Sequence, residues 1–145
     1  MAVDVTTSTV IDRPVEDVAA YAADPSNAPT WYANIESVAW ITPPPLQVGS
    51  KVAFVARFLR RRLEYTYEFI ELTGERLVMR TAQGPFPMET TYTWAPEGDH
   101  ATRMTLRNQG EPAGFSTVVA PFMSAAMRRA NRKDLANLKS TLEAS

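Results

Sequence analysis

The chain has 145 residues, 45% of them hydrophobic and 21% charged, with a net charge of −1. That length suits one domain, residues 1–145, with a sizeable core, and the balanced charge gives no electrostatic case for nucleic acid or an anionic membrane as partner. There is no cysteine, which excludes disulfides, thiolate metal sites and cysteine nucleophiles.

Met1 to Val5 lacks the basic and apolar regions of a signal peptide. No apolar run approaches a membrane span. A cytoplasmic protein without stable membrane insertion, monomer or homodimer, is the expectation. Val3 to Ile11 alternates apolar and polar residues and predicts a strand. Pro14 to Ala23 predicts a short helix, with Glu16 and Asp17 at its positive end. Asp24-Pro25-Ser26-Asn27 breaks it, and a second short helical piece follows over Ala28 to Tyr32. Ile35 to Ile41 predicts a second strand, with Ile35 and Ser37 on one face and Val38 and Trp40 on the other.

Lys51 to Leu59 predicts a third strand with Val52, Phe54, Ala56 and Phe58 on one face. Arg60-Arg61-Arg62 is the expected hairpin tip. Leu63 to Leu72 returns as the fourth strand, with Tyr65, Tyr67 and Phe69 on one face and Glu64, Thr66 and Glu68 on the other. Arg76 to Ala82, Phe86 to Trp94 and Ala101 to Gln109 predict three more strands, separated by turn residues. Thr90, Tyr92 and Trp94 share a face of the sixth; Met104, Leu106 and Asn108 share one of the seventh. Pro112 to Glu143 predicts a long amphipathic helix, more than about 40 Å end to end. Leu135, Leu138 and Leu142 lie on its apolar side, with Arg129, Arg132 and Lys139 opposite. Pro121 is expected to kink it or to mark where the regular helix begins. Ser124 and Asn131 sit on the apolar side, where a polar group needs a partner, a water or a ligand.

Strands in series with short connections imply an antiparallel meander, and the long helix is the one element able to cover its apolar face. The order, together with Ile11-Asp12-Arg13-Pro14-Val15-Glu16-Asp17-Val18, Asp24-Pro25, Trp31, Gly84-Pro85-Phe86-Pro87, Tyr92, Gly98, Thr102-Arg103, Asp134-Leu135, Leu138-Lys139 and Leu142-Glu143, resembles the START-like, Bet v 1-like (SRPBCC) superfamily. Within it the chain is similar to the bacterial polyketide cyclase/dehydrase family. The resemblance covers nearly the whole chain. It implies an α+β helix-grip fold: a seven-stranded curved antiparallel sheet around a long C-terminal helix, with two short helices after the first strand. It further implies an apolar cavity between sheet and helix that binds lipids, polyketides, sterols or other hydrophobic molecules, in some members with cyclase or aromatase activity.

The inward stripe is rich in aromatic and sulfur side chains. From the strands come Phe54, Phe58, Tyr65, Tyr67, Met79, Met88 and Tyr92. From the C-terminal stretch come Phe115, Met123 and Met127. Packed core and pocket lining are both readings of such a stripe. Thr90, Asn108 and Asn131 are its polar points; Asn108 and Asn131 are placed to face each other and orient a ligand carbonyl or hydroxyl. Trp31 and Tyr32 either gate the cavity mouth or cap the core.

Acid–base groups are few. His100, the only histidine, falls in a turn beside Asp99. No two-His metal spacing, G-x-S-x-G or Gly-rich phosphate loop is present, and neither metal nor cofactor is expected. Tyr65, Tyr67 and Arg80 are the catalytic candidates. The strand of Arg80 is apolar on both parities, which leaves its direction open; an inward arginine would face an enolate or carboxylate. The arginine, tyrosine and serine set associated with polyketide cyclases does not map here residue by residue. Arg60-Arg61-Arg62 and Arg128-Arg129-Arg132-Lys133 read as solvated clusters, or as sites for an anionic partner such as a carrier protein. Three functions follow: binding of a small hydrophobic ligand, a cyclase or dehydrase working in the same cavity, and a protein-interaction module.

Overall fold

The computed structural model describes residues 3–111 and 120–145. Strand β1 (Val3–Ile11) leads into α1 (Val15–Ala23), a 3-10 turn (Pro25–Asn27) and α2 (Ala28–Trp31). Six strands follow: β2 (Ile35–Trp40), β3 (Lys51–Phe58), β4 (Arg61–Leu72), β5 (Arg76–Gln83), β6 (Met88–Glu97) and β7 (Ala101–Gly110). Helix α3 (Ala120–Glu143) closes the chain. The strands form one antiparallel sheet in the order β1-β7-β6-β5-β4-β3-β2. The two short helices carry the chain from one edge to the other, and the rest is a meander.

Local chemistry accounts for most boundaries. Pro14 caps α1 from outside the helix: its fixed φ of −61° suits the cap, and its carbonyl accepts from the amides of Asp17 and Val18. The Asp24 carboxylate accepts from the Ser26 amide at 3.0 Å and starts the 3-10 turn. Pro121 is the second described residue of α3. Residues 112–119, which include Pro112 and the candidate Phe115, lie outside the described residues.

Three expectations are corrected. The β3–β4 hairpin turns at Leu59-Arg60, and Arg61 and Arg62 already belong to β4. Leu59 and Arg60 both have left-handed φ, 51° and 63°, as a two-residue hairpin turn requires; no glycine marks it in the sequence. Ile35 and Val38 do not point to opposite faces. The register shifts between Ile35 and Ser37, so Ile35 pairs with Ala56 and Val38 with Phe54, two residues of one face. The sixth strand starts at Met88 rather than Phe86 and runs on through Pro96, which pairs with Thr102 near the hairpin end.

The sheet curls around α3, the helix-grip arrangement. Val3 and Val5 of edge strand β1 bury with Met123 of α3, and Phe58 and Leu59 from the far side of the sheet pack against the same group. The main core joins Ile11, Val18, Trp31, Leu77, Met104 and Leu106 to Leu135 and Leu138 of α3. The C-terminal end of α3 is fastened to the β1–α1 junction: Lys139 donates to the Val10 carbonyl at 2.6 Å, and Arg13 donates to the carbonyl of Glu143 at 2.8 Å. Its middle is fastened to the end of α2, where Asn137 donates to the Trp31 carbonyl and Asp134 accepts from the Ala33 amide at 2.9 Å. Between these ties and strands β3 to β6 the helix does not close on the sheet, and a cavity remains.

Candidate functional site

The cavity holds about 110 Å³ of space open to a water-sized sphere; with the open solvent at its mouth counted, the empty space comes to about 930 Å³. The strands supply mostly large side chains; the helices supply mostly small ones, with Met127 the large exception. On the sheet wall stand Phe54 and Phe58 from β3, Tyr65 and Tyr67 from β4, Met79 from β5, and Met88, Thr90 and Tyr92 from β6, with Asn108 from β7. On the helical wall stand Ala22, Ala23, Ala28, Met127, Ala130, Asn131 and Asp134. The aromatic rings brace one another: Phe54 stacks on Tyr65 at 5.6 Å, and Tyr65 meets Tyr67 at 5.0 Å between centroids.

A buried polar relay crosses from sheet to helix. The Tyr67 and Thr90 hydroxyls lie 2.9 Å apart. Thr90 donates to Asn108 Oδ1 at 2.6 Å, and Asn108 Nδ2 donates to Asn131 Oδ1 at 3.2 Å. Because the Thr90 proton is committed to Asn108, the hydroxyl of Tyr67 must be the donor of the first bond. The relay therefore runs in one sense and ends on Asn131 Nδ2, which is buried and has no partner among the described residues. A buried amide donor without an acceptor costs about 1–3 kcal/mol. An oxygen on a bound molecule would satisfy it.

A second polar group lies one helical turn further on. Asp134 borders the cavity, is 2% exposed, and has its Oδ1 held by the Ala33 amide. Burial pushes its carboxyl up from the ordinary 3.8 to about 6, against the lowering effects of the Ala33 amide and of Lys133. In the same lining the hydroxyls of Tyr32 and Tyr92 are hydrogen-bonded to each other at 2.5 Å. Burial raises the pKa of Tyr32, Tyr65 and Tyr92, and the negative charge of Asp134 raises each of them further. Burial raises Tyr67 to about 12, against the lowering effect of its bond to Thr90. All four tyrosines are neutral donors at neutral pH. The Tyr65 hydroxyl alone has no hydrogen-bond partner among the described residues.

The structure brings together Phe54, Phe58, Tyr65, Tyr67, Met79, Met88, Thr90, Tyr92, Asn108, Met127 and Asn131 around one space. Trp31 stands behind Tyr32, its ring 4.1 Å from that of Tyr32, and is wholly buried rather than in the cavity wall. Met123 belongs to the satellite cluster with Val3 and Val5. Ser124 is half-buried and outside the lining. Arg80 points away: it pairs with Glu89 on the outer face at 2.8 Å. Its strand is apolar on both parities because Val78 is buried too, on the side opposite Leu77 and Met79. His100 lies exposed in the turn after β6. Among the described residues no group of three or more His, Cys, Asp or Glu side chains is placed to hold a metal ion, and no helix is long and apolar enough to cross a membrane.

Asp134 carried a signal in the sequence that points to the site. It follows Asn131 by three residues and precedes Leu135 by one, so helical spacing puts all three on the buried face. An aspartate there needs a reason. Ala130 carried none, since a small residue on a helix is unremarkable until the space beside it is seen.

A family model described as polyketide cyclase / dehydrase and lipid transport matches residues 2–143. No curated protein matches the chain in sequence. Among solved structures, TTHA0849 from Thermus thermophilus superposes with a TM-score of 0.84 at 22% identity, over 98% of this chain and 99% of that one. The Zhui aromatase/cyclase from Streptomyces sp. R1128 gives 0.81 at 15% identity, over 97% and 93%. A START superfamily protein from Mycobacterium smegmatis gives 0.78 at 12% identity, over 96% and 98%. At such identities the likeness is one of fold.

Proposed function

Because the chain belongs to the polyketide cyclase/dehydrase and lipid transport family, we propose that its cavity is a binding site for a small, largely apolar molecule carrying an oxygen acceptor. The observation that supports this best is the relay Tyr67–Thr90–Asn108–Asn131, which ends on an unpartnered buried donor beside open apolar space. Trp31 Nε1 and Thr7 Oγ1 are also buried without a partner, but Asn131 Nδ2 is the one on a residue that borders the cavity. The aromatic and methionine wall suits a flat or irregular apolar body, and Asn131 fixes its orientation.

The test compares two probes of one shape: 2-acetylnaphthalene, which has a carbonyl, and 2-ethylnaphthalene, which does not. Thermal shift and titration calorimetry are expected to show both binding, the ketone more tightly, and Asn131→Leu is expected to erase the difference. Binding of neither probe, together with native mass spectra free of any copurified molecule, would refute the reading.

A reaction in the same cavity is the second reading. What favours it is Asp134, a buried carboxyl poised near neutrality, together with the unpartnered Tyr65 hydroxyl. Arg80 takes no part, since it lies outside. Incubation with a reactive poly-β-ketone is expected to give a cyclised product with the native chain and none with Asp134→Asn; equal rates in the two would remove this reading.

A further inference from the structure

We infer that the cavity selects by charge: it accepts apolar molecules bearing a protonated amine and rejects those bearing a carboxylate. The inference rests on the ligand-binding reading above and names the class of ligand for that site.

The charge census of the lining carries the argument. Among the described residues around the cavity there is no lysine, arginine, histidine or glutamate; Asp134 is its one carboxylate. Six arginines of the sheet pair with acids on its outer face: Arg57 with Glu36, Arg62 with Glu64, Arg76 with Glu71, Arg80 with Glu89, Arg103 with Glu97, Arg107 with Asp4; Arg61, at the hairpin end of β4, shares the inward parity of Leu63 but is exposed and outside the lining. Lys133, beside Asp134 in sequence, is exposed and forms no ion pair with it, although its charge favours the ionised carboxyl. The carboxylate is thus buried with one amide hydrogen bond and no ion-pair partner among the described residues. Buried charges are ordinarily paired, so a cation is what the site lacks.

The surroundings suit an organic cation. Tyr32, Tyr65 and Tyr92 border the same space as Asp134. Ring faces attract an ammonium, and their hydroxyls do not compete with it for charge. A ligand carboxylate would meet Asp134 with no cation to offset the repulsion. Asn131, one turn away, remains available for an oxygen on the same ligand.

Three probes with one apolar body test this at pH 7.5: 2-(2-naphthyl)ethylamine, 2-(2-naphthyl)ethanol and 2-naphthylacetate. The amine is expected to bind about tenfold more tightly than the alcohol, the surplus left after its desolvation, and the carboxylate more weakly than either. Asp134→Asn keeps an acceptor for the Ala33 amide and is expected to bring the amine-to-alcohol ratio to about one. Glu89→Gln removes a charge of the same sign from the outer face and is expected to keep the ratio. In the unaltered chain the preference is expected to survive about 1 M salt, because a buried pair is little screened. An amine no tighter than the alcohol, or a preference that salt or Glu89→Gln abolishes, overturns the inference and leaves the binding reading standing. Binding of none of the three overturns both.

Discussion

Replacing Asp134 by asparagine should stabilise the protein at neutral pH and do almost nothing below about pH 3. In the unfolded chain this carboxyl titrates near 3.8; in the fold, burial raises it to about 6. Below about pH 3 the group is protonated in both states and no charge is buried. Between the two values the folded state holds more protons than the unfolded one, so stability falls as pH rises through that window. Above pH 6 the loss is complete. A rise from 3.8 to about 6, at about 1.4 kcal/mol for each tenfold change in proton affinity, amounts to about 3 kcal/mol. Asparagine has nearly the same shape, keeps an oxygen for the Ala33 amide and carries no charge. Urea unfolding of the two proteins from pH 4 to pH 8 should therefore show a difference that grows from about 0.5 kcal/mol to about 2–3 kcal/mol in favour of the variant. Asp4 and Glu143 have lowered pKa values, Asp4 chiefly through Arg107 and Glu143 chiefly through Lys139. Their stabilisation is lost as pH falls, the opposite trend, but both proteins carry them and the difference cancels them. A variant less stable at pH 7, or a gain that does not change with pH, would refute the claim that Asp134 is a buried, unpaired charge.

Two further changes probe the sheet wall. Thr90→Val keeps the side-chain shape but strands the Tyr67 hydroxyl and Asn108 Oδ1; a loss of about 1–3 kcal/mol is expected in denaturant titrations, and a neutral outcome would mean that the relay is not formed. Gly84→Ala would place a methyl 3.0 Å from both Thr81 Cγ2 and Tyr65 Cβ. That overpacking is expected to cost about 1–3 kcal/mol and to weaken binding of 2-acetylnaphthalene by displacing Tyr65; unchanged affinity would place Tyr65 outside the contact.

Period-two alternation in Val52 to Phe58, Tyr65 to Phe69 and Thr102 to Asn108 told which side chains face the helix, because a strand offers each residue only two directions. The same rule failed at Ile35 and Val38, where a bulge adds one residue and returns both to one face. It could not place Arg80, since Val78 is buried on the outer side. It missed the tip at Leu59-Arg60, where two non-glycine residues take left-handed φ. For the site, alternation gave direction but not distance. It marked Asn108 and Asn131 as polar groups on facing walls, and they do meet, at 3.2 Å. It had no means of showing whether the aromatic stripe fills the space beneath α3. That depends on what the helix offers in return, and there the helix offers Ala130, Asn131 and Asp134.

The small helical side chains decide whether the space is real, and one of them gives a test by sign. Ala130 stands in the cavity wall facing the aromatic strands. Ala130→Leu adds three carbons at that point. If they enter empty apolar space, each buried carbon contributes about 0.8 kcal/mol, for a gain of up to about 2 kcal/mol after side-chain ordering. If the sheet side chains already fill the space, the same carbons force neighbours off their rotamers at a cost of about 1–3 kcal/mol. The two cases differ in direction. The cavity predicts a more stable protein that no longer binds 2-acetylnaphthalene, the pattern of a site whose emptiness is kept at the expense of stability. A destabilised Ala130→Leu variant, with binding lost through unfolding, would show a packed core and remove the ground for a ligand altogether.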